Sequence, residues 1–384
     1  MNFTGRRICI AGSASAGADT KMLRYAHSLV TEITRAAISR GALLLCGVGK
    51  NPRLSADANS PALIFDWDVI EVLAEELKRG HITPETSQGH AFAAVFTSKT
   101  ASQIPPDKAT PWDCLITAKA VRVEYVQPGW TSGAVRRSHQ TRLSDILIAI
   151  GGGEGVEHLA REFLAQGKPV IPLDLRLGAS TEDGTGGAHR LFGELRADPR
   201  SFVKLTKPEA LGAILSRMDT AGGTKPAAQV VEAVLDLITE LLPPDAFYVR
   251  LLNPKSPEFH AVEWYFRQVV DPVVSNFGYN PVEMGRTDST SPWINTQIFE
   301  KIHYSAVTIA DLTGVRPNCF MELGYGFGRQ RRMIITAKEG TDIPFDASPI
   351  EARMWNDATP VPKLMEELRD YWKRNINRPQ LVSE

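Results

Sequence analysis

Several classes of protein are excluded by what this sequence has little of. It contains only four cysteines among 384 residues, and no two of them form a Cys-x-x-Cys pair. The eight histidines include no His-Glu-x-x-His motif and do not cluster with cysteine. Structural zinc sites and disulfide scaffolds depend on such spacings. We therefore predict buried, reduced thiols, no metal site and no required cofactor.

Long apolar runs and long basic runs are missing as well. No apolar stretch approaches the roughly 20 residues that a membrane-spanning helix needs. The formal net charge is −1 and no long basic run occurs, so neither nucleic acid nor a membrane is an expected partner. The first residues lead into a strand-like segment rather than into an apolar signal region. We therefore expect a cytoplasmic protein.

The sequence does contain a repeated alternation of short apolar strands and amphipathic helices. Residues 7–11 predict a strand, and a helix follows whose apolar side chains recur at helical spacing from Leu23 to Ala37. Residues 147–150 and 169–173 predict two further strands on either side of a second such helix. This alternation is typical of a parallel sheet covered by helices. The predicted fold class is α/β, with two doubly wound, mostly parallel sheets of Rossmann-like or flavodoxin-like type.

A segment at residues 220–226, with two adjacent glycines at its centre, separates two such patterns. We predict a nucleotide-binding domain over residues 1–218, a linker with a connecting helix over 219–243, and a second α/β domain over 244–384. Length also favours two domains, because the chain is longer than one hydrophobic core usually supports. The connecting helix is apolar around more than one stripe, which favours two contact surfaces and a homo-oligomer. The alternative is that this helix packs wholly within its own chain.

Three glycine-containing loops follow buried strands in the first pattern. They contain Gly12 and Ser13, then Gly47, and then the segment Gly151, Gly152, Gly153, Glu154 and Gly155, named here the glycine turn. Glycine lets the backbone approach a ligand, and N–H groups at a helix start can face a phosphate. Because parallel strands end at one edge of a sheet, the loops predict a nucleotide-binding cleft. Arg136 is a candidate phosphate ligand, and a solvated surface arginine is the alternative.

These residues resemble the SLOG superfamily, which includes the LOG phosphoribohydrolases and the nucleotide-sensing domains of ThsA-type defence proteins. The resemblance covers roughly residues 5 to 215 and rests on Arg136-Arg137, Asp145 and the glycine turn. Val156 and Leu159 stand where the LOG pattern has a threonine and its catalytic glutamate. Leucine cannot transfer a proton or stabilise a ribosyl cation. The resemblance therefore implies a domain that binds a signalling nucleotide without LOG-type hydrolysis.

The second pattern carries polar residues after a buried strand. Asp311 follows the apolar residues 306–310, and Asn318 and Glu322 come shortly afterwards. A carboxylate at a strand end is well placed for ribose recognition or catalysis. Apolar neighbours should partly desolvate Glu322, which is costly for a carboxylate without a partner or a task. The alternatives are that Glu322 pairs with a nearby arginine and that Asp311 and Asn318 only cap a helix.

Four motifs in this region resemble the nucleoside 2-deoxyribosyltransferase-like and TIR-like superfamily over roughly residues 245 to 355. They are Ala310-Asp311-Leu312-Thr313, Arg316-Pro317-Asn318, Met321-Glu322-Leu323-Gly324-Tyr325-Gly326 and Pro344-Phe345-Asp346. The resemblance implies that Glu322 is the nucleophile in glycosidic cleavage, with Asp311 and Asn318 as further catalytic residues. Asn318 follows Pro317 but is itself followed by Cys319, so the family's Asn-Pro-Asn motif is only half kept. The nearest candidates for the family's upstream acidic residue are Glu300 and Asp288. Tyr248, Arg250 and Trp293 are expected to line the substrate pocket.

Together the two resemblances imply a sensor joined to an effector. The first domain is expected to bind a signalling nucleotide. The second is expected to cleave the N-glycosidic bond of a nucleotide, with NAD as the expected substrate, as in bacterial antiviral systems that pair such domains. Two alternatives stay open. One is a nucleoside or nucleotide deoxyribosyltransferase or hydrolase of nucleotide metabolism, and the other is a non-catalytic nucleotide-binding scaffold.

Overall fold

The chain folds into two compact units. A computed structural model describes residue 3 and residues 6–55, 60–86, 89–90, 92–97, 103–129, 131–178, 187–219, 225–284, 294–343 and 351–376. The first unit comprises Met1–Thr86 and His90–Leu242, and the second comprises Ser87–Gly89 and Pro243–Glu384. The helix that the sequence assigned to a connecting segment therefore belongs to the first unit.

The first unit contains a six-stranded parallel sheet. Its strands are β1 (Arg7–Ser13), β2 (Leu43–Gly47), β3 (Phe92–Thr97), β4 (Val121–Val126), β5 (Ile146–Gly151) and β6 (Val170–Leu173). The order across the sheet is β4-β3-β2-β1-β5-β6, and each neighbouring pair is parallel. The chain thus builds outward from β1 in one direction and returns to β5 on its other side. Such a switch point opens a crevice at the carboxyl ends of the strands.

Nine helices accompany this sheet in the described part of the first unit. They are α1 (Thr20–Ser39), α2 (Asp66–Lys78), α3 (Ala109–Thr117), α4 (Ser132–Leu143), α5 (Glu154–Ala165), α6 (Gly187–Ala197), α7 (Pro199–Phe202), α8 (Leu211–Met218) and α9 (Ala227–Glu240). Short 3-10 turns occupy Pro106–Lys108 and Pro208–Ala210, and two-residue strands occupy Glu85–Thr86 and Gly89–His90. The Asp19 carboxylate caps α1 by accepting two backbone N–H groups, as its spacing before the apolar stripe predicts.

Helix α9 is buried against its own unit. It packs against α1 and α8, and its buried side chains are Val230, Val231, Ala233, Val234, Leu235, Leu237 and Ile238. Just beyond its end, the Leu242 N–H donates to the Lys204 carbonyl oxygen at 2.9 Å. The apolar faces of α9 are thus covered within the chain, so they no longer argue for a homo-oligomer.

The second unit contains a five-stranded parallel sheet. Its strands are β7 (Asp245–Val249), β8 (Asn280–Glu283), β9 (Val307–Asp311), β10 (Met333–Lys338) and β11 (Arg353–Trp355). The order is β8-β7-β9-β10-β11, and all neighbours are parallel. This is the flavodoxin-like order, in which the switch point lies between the first and third strands of the unit, here β7 and β9.

Helices cover both faces of the second sheet. They are α10 (Phe259–Tyr265), α11 (Asp271–Asn276), α12 (Ile294–Tyr304), α13 (Pro317–Gly328) and α14 (Val361–Asn375). Alternate residues of β7 enter two cores: Tyr248 packs in the core that contains α10 and α14, and Phe247 in the core that contains α12 and α13. A π-helical turn, Phe266–Val270, joins α10 to α11 just before Pro272. Proline lacks an N–H and disturbs regular helical bonding, which explains the irregular turn.

The predicted α/β class with two parallel sheets is confirmed by these strand orders. Within the described ranges, no helix combines the length and the apolar character needed to cross a membrane.

Candidate functional site

The switch point of the first sheet is lined by backbone from β1 and β5. Gly12 pairs with Ile150 and Ser13 pairs with Gly151 in the parallel register. The Gly152 N–H donates to the Ser13 carbonyl oxygen at 2.7 Å. A Cβ at Gly12 would lie 1.8 Å from the Ile150 carbonyl oxygen, so only glycine fits there. The structure therefore brings Gly12, Ser13 and the glycine turn together.

The glycine turn has a backbone that side chains would disturb. Gly151 has a φ of 54° and Gly152 has a φ of 73°. A Cβ at Gly152 would lie 2.2 Å from Val156 Cγ2. Helix α5 begins at Glu154, and the first N–H groups of a helix have no acceptor within it. The turn thus places donors for an anion at the carboxyl edge of the sheet.

Two neighbouring arginines on α4 reach different parts of this edge. Arg137 Nη1 lies 3.9 Å from the position of a Cβ at Gly155, and Arg137 Nε donates to His158 Nδ1 at 2.9 Å. Arg136 is exposed, and its charge acts on the carboxylate of Asp66. Arg137, rather than the predicted Arg136, is therefore the arginine beside the glycine turn.

Asp66, the first residue of α2, is a candidate that the sequence did not identify. Its carboxylate accepts the Gly47 N–H. Burial raises the pKa of Asp66 to about 6, and the charge of Arg136 opposes this shift. Gly47, Asp66 and Arg136 thus form a cluster at the end of β2. The sequence signal was ambiguous because aspartate before an amphipathic helix is also a common N-cap.

Two carboxylates, Glu154 and Glu157, lie in the first turn of α5. Glu154 is exposed. Glu157 Oε1 is buried and has no hydrogen-bond partner among the described residues, while Glu157 Oε2 lies 4.0 Å from Arg190 Nη1. Leu159 is in the core, so the position of the LOG glutamate does not reach the cleft. Carboxylates accept hydrogen bonds from hydroxyl groups, and backbone N–H groups and arginine bind anions. The cleft therefore suits a ligand that has both hydroxyl groups and an anionic group, such as a nucleotide.

A carboxylate–histidine pair lies at the same edge and was also missed. His189 Nδ1 donates to Asp174 Oδ1 at 2.5 Å, and Asp174 directly follows β6. The Gly187 N–H donates to the Gly152 carbonyl oxygen at 2.6 Å, so α6 starts beside the glycine turn. Burial raises the pKa of Asp174. The two residues are 15 positions apart in sequence, which gives no local pattern to detect.

In the second unit, Asp311 lies at the end of β9 and is enclosed. It is 0% exposed. Its carboxylate accepts hydrogen bonds from the Thr313 N–H at 3.1 Å, the Thr336 hydroxyl at 2.8 Å and the Trp355 indole N–H at 3.0 Å. Burial raises the pKa of Asp311, and these donors oppose the shift. The contacts favour a role in positioning the turn after β9 over direct contact with a substrate.

Tyr248 and Arg250 are engaged within their own unit. The Tyr248 hydroxyl donates to Asp271 Oδ1 at 2.9 Å. Arg250 forms ion pairs with Glu263 and Glu283, both at 2.6 Å. The two residues are only 3% and 4% exposed. This burial argues against the predicted pocket-lining role, because a ligand would have to displace partners that already satisfy these polar groups.

The remaining residues predicted for the site of the second unit are either exposed or lie outside the part that the structure describes. Asn318 is exposed on the first turn of α13, and Glu300 is exposed on α12. Trp293, Asp288 and the motif at residues 344–346 lie outside the described residues.

Glu322, on α13, is a half-buried carboxylate near the strained turn after β9. Within the part of the chain that the structure describes it has no hydrogen bond or ion pair. Burial raises the pKa of Glu322, and the charge of Arg316 opposes this shift. Arg316 Nη2 donates to Cys319 Sγ at 2.6 Å. The two opposite charges are close enough to influence each other but do not form an ion pair.

The turn between β9 and α13 is strained. Gly314 has a φ of 80° and Val315 has a φ of 48°. A β-branched residue with positive φ is a genuine outlier, and such strain persists only where the surrounding structure enforces it. Val315 and Met321, which precede Arg316 and Glu322, are exposed large apolar residues. The turn and the first residues of α13 thus carry charged and apolar side chains on one segment.

Comparison with known protein families finds one matching family model. The family model described as "ATP nucleosidase Cap17-like, N-terminal" matches residues 3–238. ATP nucleosidase Cap17 of Escherichia coli strain KTE188 is 24% identical over 350 residues, which cover 87% of this chain and 66% of that protein. ATP nucleosidase Cap17 of Escherichia coli matches with the same values. The chain thus spans slightly less than two thirds of these relatives, and the alignment extends beyond the first unit.

Solved structures give weaker likenesses. The molybdenum cofactor binding protein of Rippkaea orientalis is 17% identical, with a TM-score of 0.30 over 56% of this chain and 98% of its own. DNA processing protein A of Helicobacter pylori is 14% identical, with a TM-score of 0.31 over 56% of this chain and 81% of its own. At these scores neither likeness indicates a function for this chain. The family model, in contrast, matches residues 3–238, which is more than half of the chain. The chain therefore belongs to the ATP nucleosidase Cap17-like family, which is defined by this N-terminal region.

Proposed function

We propose that the protein hydrolyses the N-glycosidic bond of a nucleotide at Glu322, and that the cleft of the first unit binds a nucleotide. The observation that carries the proposal is Glu322 itself, a half-buried carboxylate without a described partner beside the strained turn after β9. Carboxylates of this kind are costly unless they serve a function. The family membership supports cleavage of nucleotides as the reaction class.

The reaction follows from carboxylate chemistry at a sugar carbon. A Glu322 oxygen attacks C1′ of the ribose, the C1′–N bond breaks, and the base leaves with the bonding electron pair and takes a proton from solvent. Water then attacks C1′ of the glycosyl ester, the ester bond breaks, and Glu322 is released as a carboxylate while the water proton passes to solvent. The products are the free base and a ribose phosphate. No oxidant, reductant or further reactant is needed.

The substrate proposed first is ATP, because both curated relatives are named ATP nucleosidases. NAD, the substrate expected from the TIR-like resemblance, is the second candidate. Its nicotinamide is also bonded through nitrogen to C1′ of a ribose, so the same carboxylate can attack that carbon. In that reaction the nicotinamide leaves as a neutral molecule without taking a proton, and the second product is ADP-ribose. A role as a nucleotide-triggered effector in antiviral defence follows from the resemblances described above and belongs to the proposal.

A base-release assay with the full chain tests the proposal. Purified protein is incubated with ATP, NAD, adenosine and deoxyadenosine, with and without a panel of cyclic nucleotides as candidate activators, and free base is separated by chromatography. We expect adenine release from ATP, together with ribose triphosphate in equal amount. Nicotinamide release alone would make NAD the substrate. Absence of base from all substrates, under all activators, would leave nucleotide binding without chemistry and would overturn the proposal.

A further inference from the structure

Arg316 lies close enough to Glu322 for its charge to act on that carboxylate, and part of its guanidinium is unsatisfied. Its Nη2 donates to Cys319 Sγ, which is a weak acceptor. Its Nε is buried and has no hydrogen-bond partner among the described residues. A buried donor without an acceptor is destabilising, and such a group in a native protein calls for an explanation such as a functional role, a bound ion or an ordered water. The guanidinium is therefore available for an anion.

The backbone fixes this arginine in place. Gly314 and Val315 adopt positive φ angles immediately before it, and its carbonyl oxygen accepts the Cys319 N–H at 3.0 Å at the start of α13. Such strain persists only where the surrounding structure enforces it, and it occurs often at functional sites. The strain thus fixes the backbone from which Arg316 extends, on the same segment that carries Glu322.

The separation of Arg316 from Glu322 is also informative. Within the described residues, neither side chain forms an ion pair, although the charge of Arg316 acts on Glu322. A direct ion pair would block the carboxylate. Separated charges instead allow a substrate to present an electrophilic carbon to the carboxylate and an anionic group to the guanidinium.

We propose that Arg316 recognises a phosphate group of the substrate and makes the Glu322 site selective for nucleotides over nucleosides. This inference rests on the proposed function and deepens it. The planar guanidinium matches phosphate oxygens with two parallel N–H donors, which lysine cannot do. Arg316 is a specificity residue that acts on ground-state binding and touches no reacting atom.

The test compares ATP, AMP and adenosine as substrates of the full chain. Arg316→Gln is expected to lower kcat/KM for ATP by roughly tenfold to a hundredfold, mainly through KM, because one charge-assisted contact is lost. Turnover of adenosine should not change, and Arg316→Lys should recover part of the loss. The matched control is Arg374→Gln, which alters an exposed arginine near the end of α14. Melting temperatures identify any variant that fails to fold.

An equal loss for ATP and adenosine, or no loss for ATP, would overturn the inference. If the wild type releases no base at all, the proposed function fails and binding decides the inference separately. ATP and adenosine are then titrated by calorimetry into an Arg137→Ala protein, in which we expect nucleotide binding to the first-unit cleft to be weaker. At least tenfold weaker ATP binding on adding Arg316→Gln, with adenosine unchanged, would support phosphate recognition. Unchanged ATP binding would contradict it.

Discussion

Asp66 and Asp311 are both carboxylates whose pKa is raised by burial, but their partners differ. Asp311 accepts three hydrogen bonds from fixed groups of its own unit. The described partners of Asp66 are a backbone N–H and the charge of an exposed arginine. A carboxylate with few donors reduces stability when it ionises. Asp66 is therefore the better candidate for a residue kept for ligand binding at the expense of stability.

Replacing Asp66 with asparagine should stabilise the first unit at neutral pH. The pKa of about 6 in the folded state exceeds the ordinary value of about 3.9. The folded state thus binds more protons between these values, and stability falls as pH rises through this window. Asp66→Asn should raise the free energy of unfolding at pH 7.5 by on the order of 1 kcal/mol and should weaken its pH dependence.

Denaturant unfolding at several pH values between about 4 and 7.5 measures this effect, since the window is set by the two pKa values. Asp113→Asn, a change at an exposed aspartate of α3, is the control and should leave the curve unchanged. A wild-type pH dependence that persists in Asp66→Asn would show that Asp66 does not titrate in this window.

Arg250 and Arg267 belong to one network but should differ in their contribution to stability. The Arg250 side chain is 2% exposed and the Arg267 side chain is 47% exposed, and both contact Glu263 and Glu283. Arg250→Ala leaves two partly buried carboxylates without their main partner and should cost about 2–3 kcal/mol, below the range for fully buried pairs. Arg267→Ala should cost less than about 1 kcal/mol. Equal losses in chemical denaturation would contradict this assignment.

At the scale of the elements, the glycine turn joins β5 to α5 through a backbone that alanine cannot adopt without strain. Gly152→Ala must place a Cβ at positive φ, where L-residues lose roughly 1–2 kcal/mol, and against Val156 Cγ2 at 2.2 Å. We expect a loss of about 2–3 kcal/mol in stability, because the steric contact adds to the strain. Nucleotide binding to the cleft should also be lost, because the N–H groups at the start of α5 move.

Gly193→Ala is the matched control for this prediction. Gly193 lies within α6, and a Cβ there meets nothing within 4 Å. Alanine should therefore be neutral or stabilising by roughly 0.5–1 kcal/mol. Thermal unfolding and calorimetric nucleotide binding of both variants measure the difference. Normal nucleotide binding by a folded Gly152→Ala protein would remove the glycine turn from the binding site.

The sequence predicts elements best where apolar residues are continuous. Strands β1, β2, β5, β6 and β9 were predicted because buried parallel strands are uninterrupted apolar runs. Strand β4 was missed because Arg122 and Glu124 interrupt its apolar residues and pair with each other at 2.6 Å. The prolines of residues 104–111 are typical of a loop, but α3 begins at Ala109. Proline in the first turn of a helix is tolerated, which explains the difference.

For the candidate sites too, the sequence reveals residues that lie in short local motifs but not residues that only the fold brings together. The glycine turn and Glu322 could be found because each lies in a short motif beside a strand. The roles given to Asp66, Arg137 and Arg316 required the structure, since these roles depend on strand order and on which polar groups lack a hydrogen-bond partner. Asp311 was located correctly at a strand end, but its three internal hydrogen bonds could not be read from the sequence.

In the whole molecule, each of the two units has a switch point in its parallel sheet, where sheets of this kind form a crevice. The first unit presents backbone donors and carboxylates, and the second presents Glu322 and Arg316. The family match covers almost all of the first unit, while the catalytic proposal concerns the second. The homo-oligomer predicted from the sequence stays a prediction. The helix that motivated it is covered within its own unit and no longer supports it.

Base release by wild type and Glu322→Gln, measured beside their melting temperatures, tests the central claim most directly. Glutamine keeps the size of the side chain but removes its charge, so nucleophilic attack on C1′ is lost. We predict a loss of base release of at least roughly a hundredfold with an unchanged melting temperature. Glu366→Gln, at an exposed glutamate of α14, should retain full activity. Wild-type rates in a folded Glu322→Gln protein would contradict the assignment of the reaction to this carboxylate.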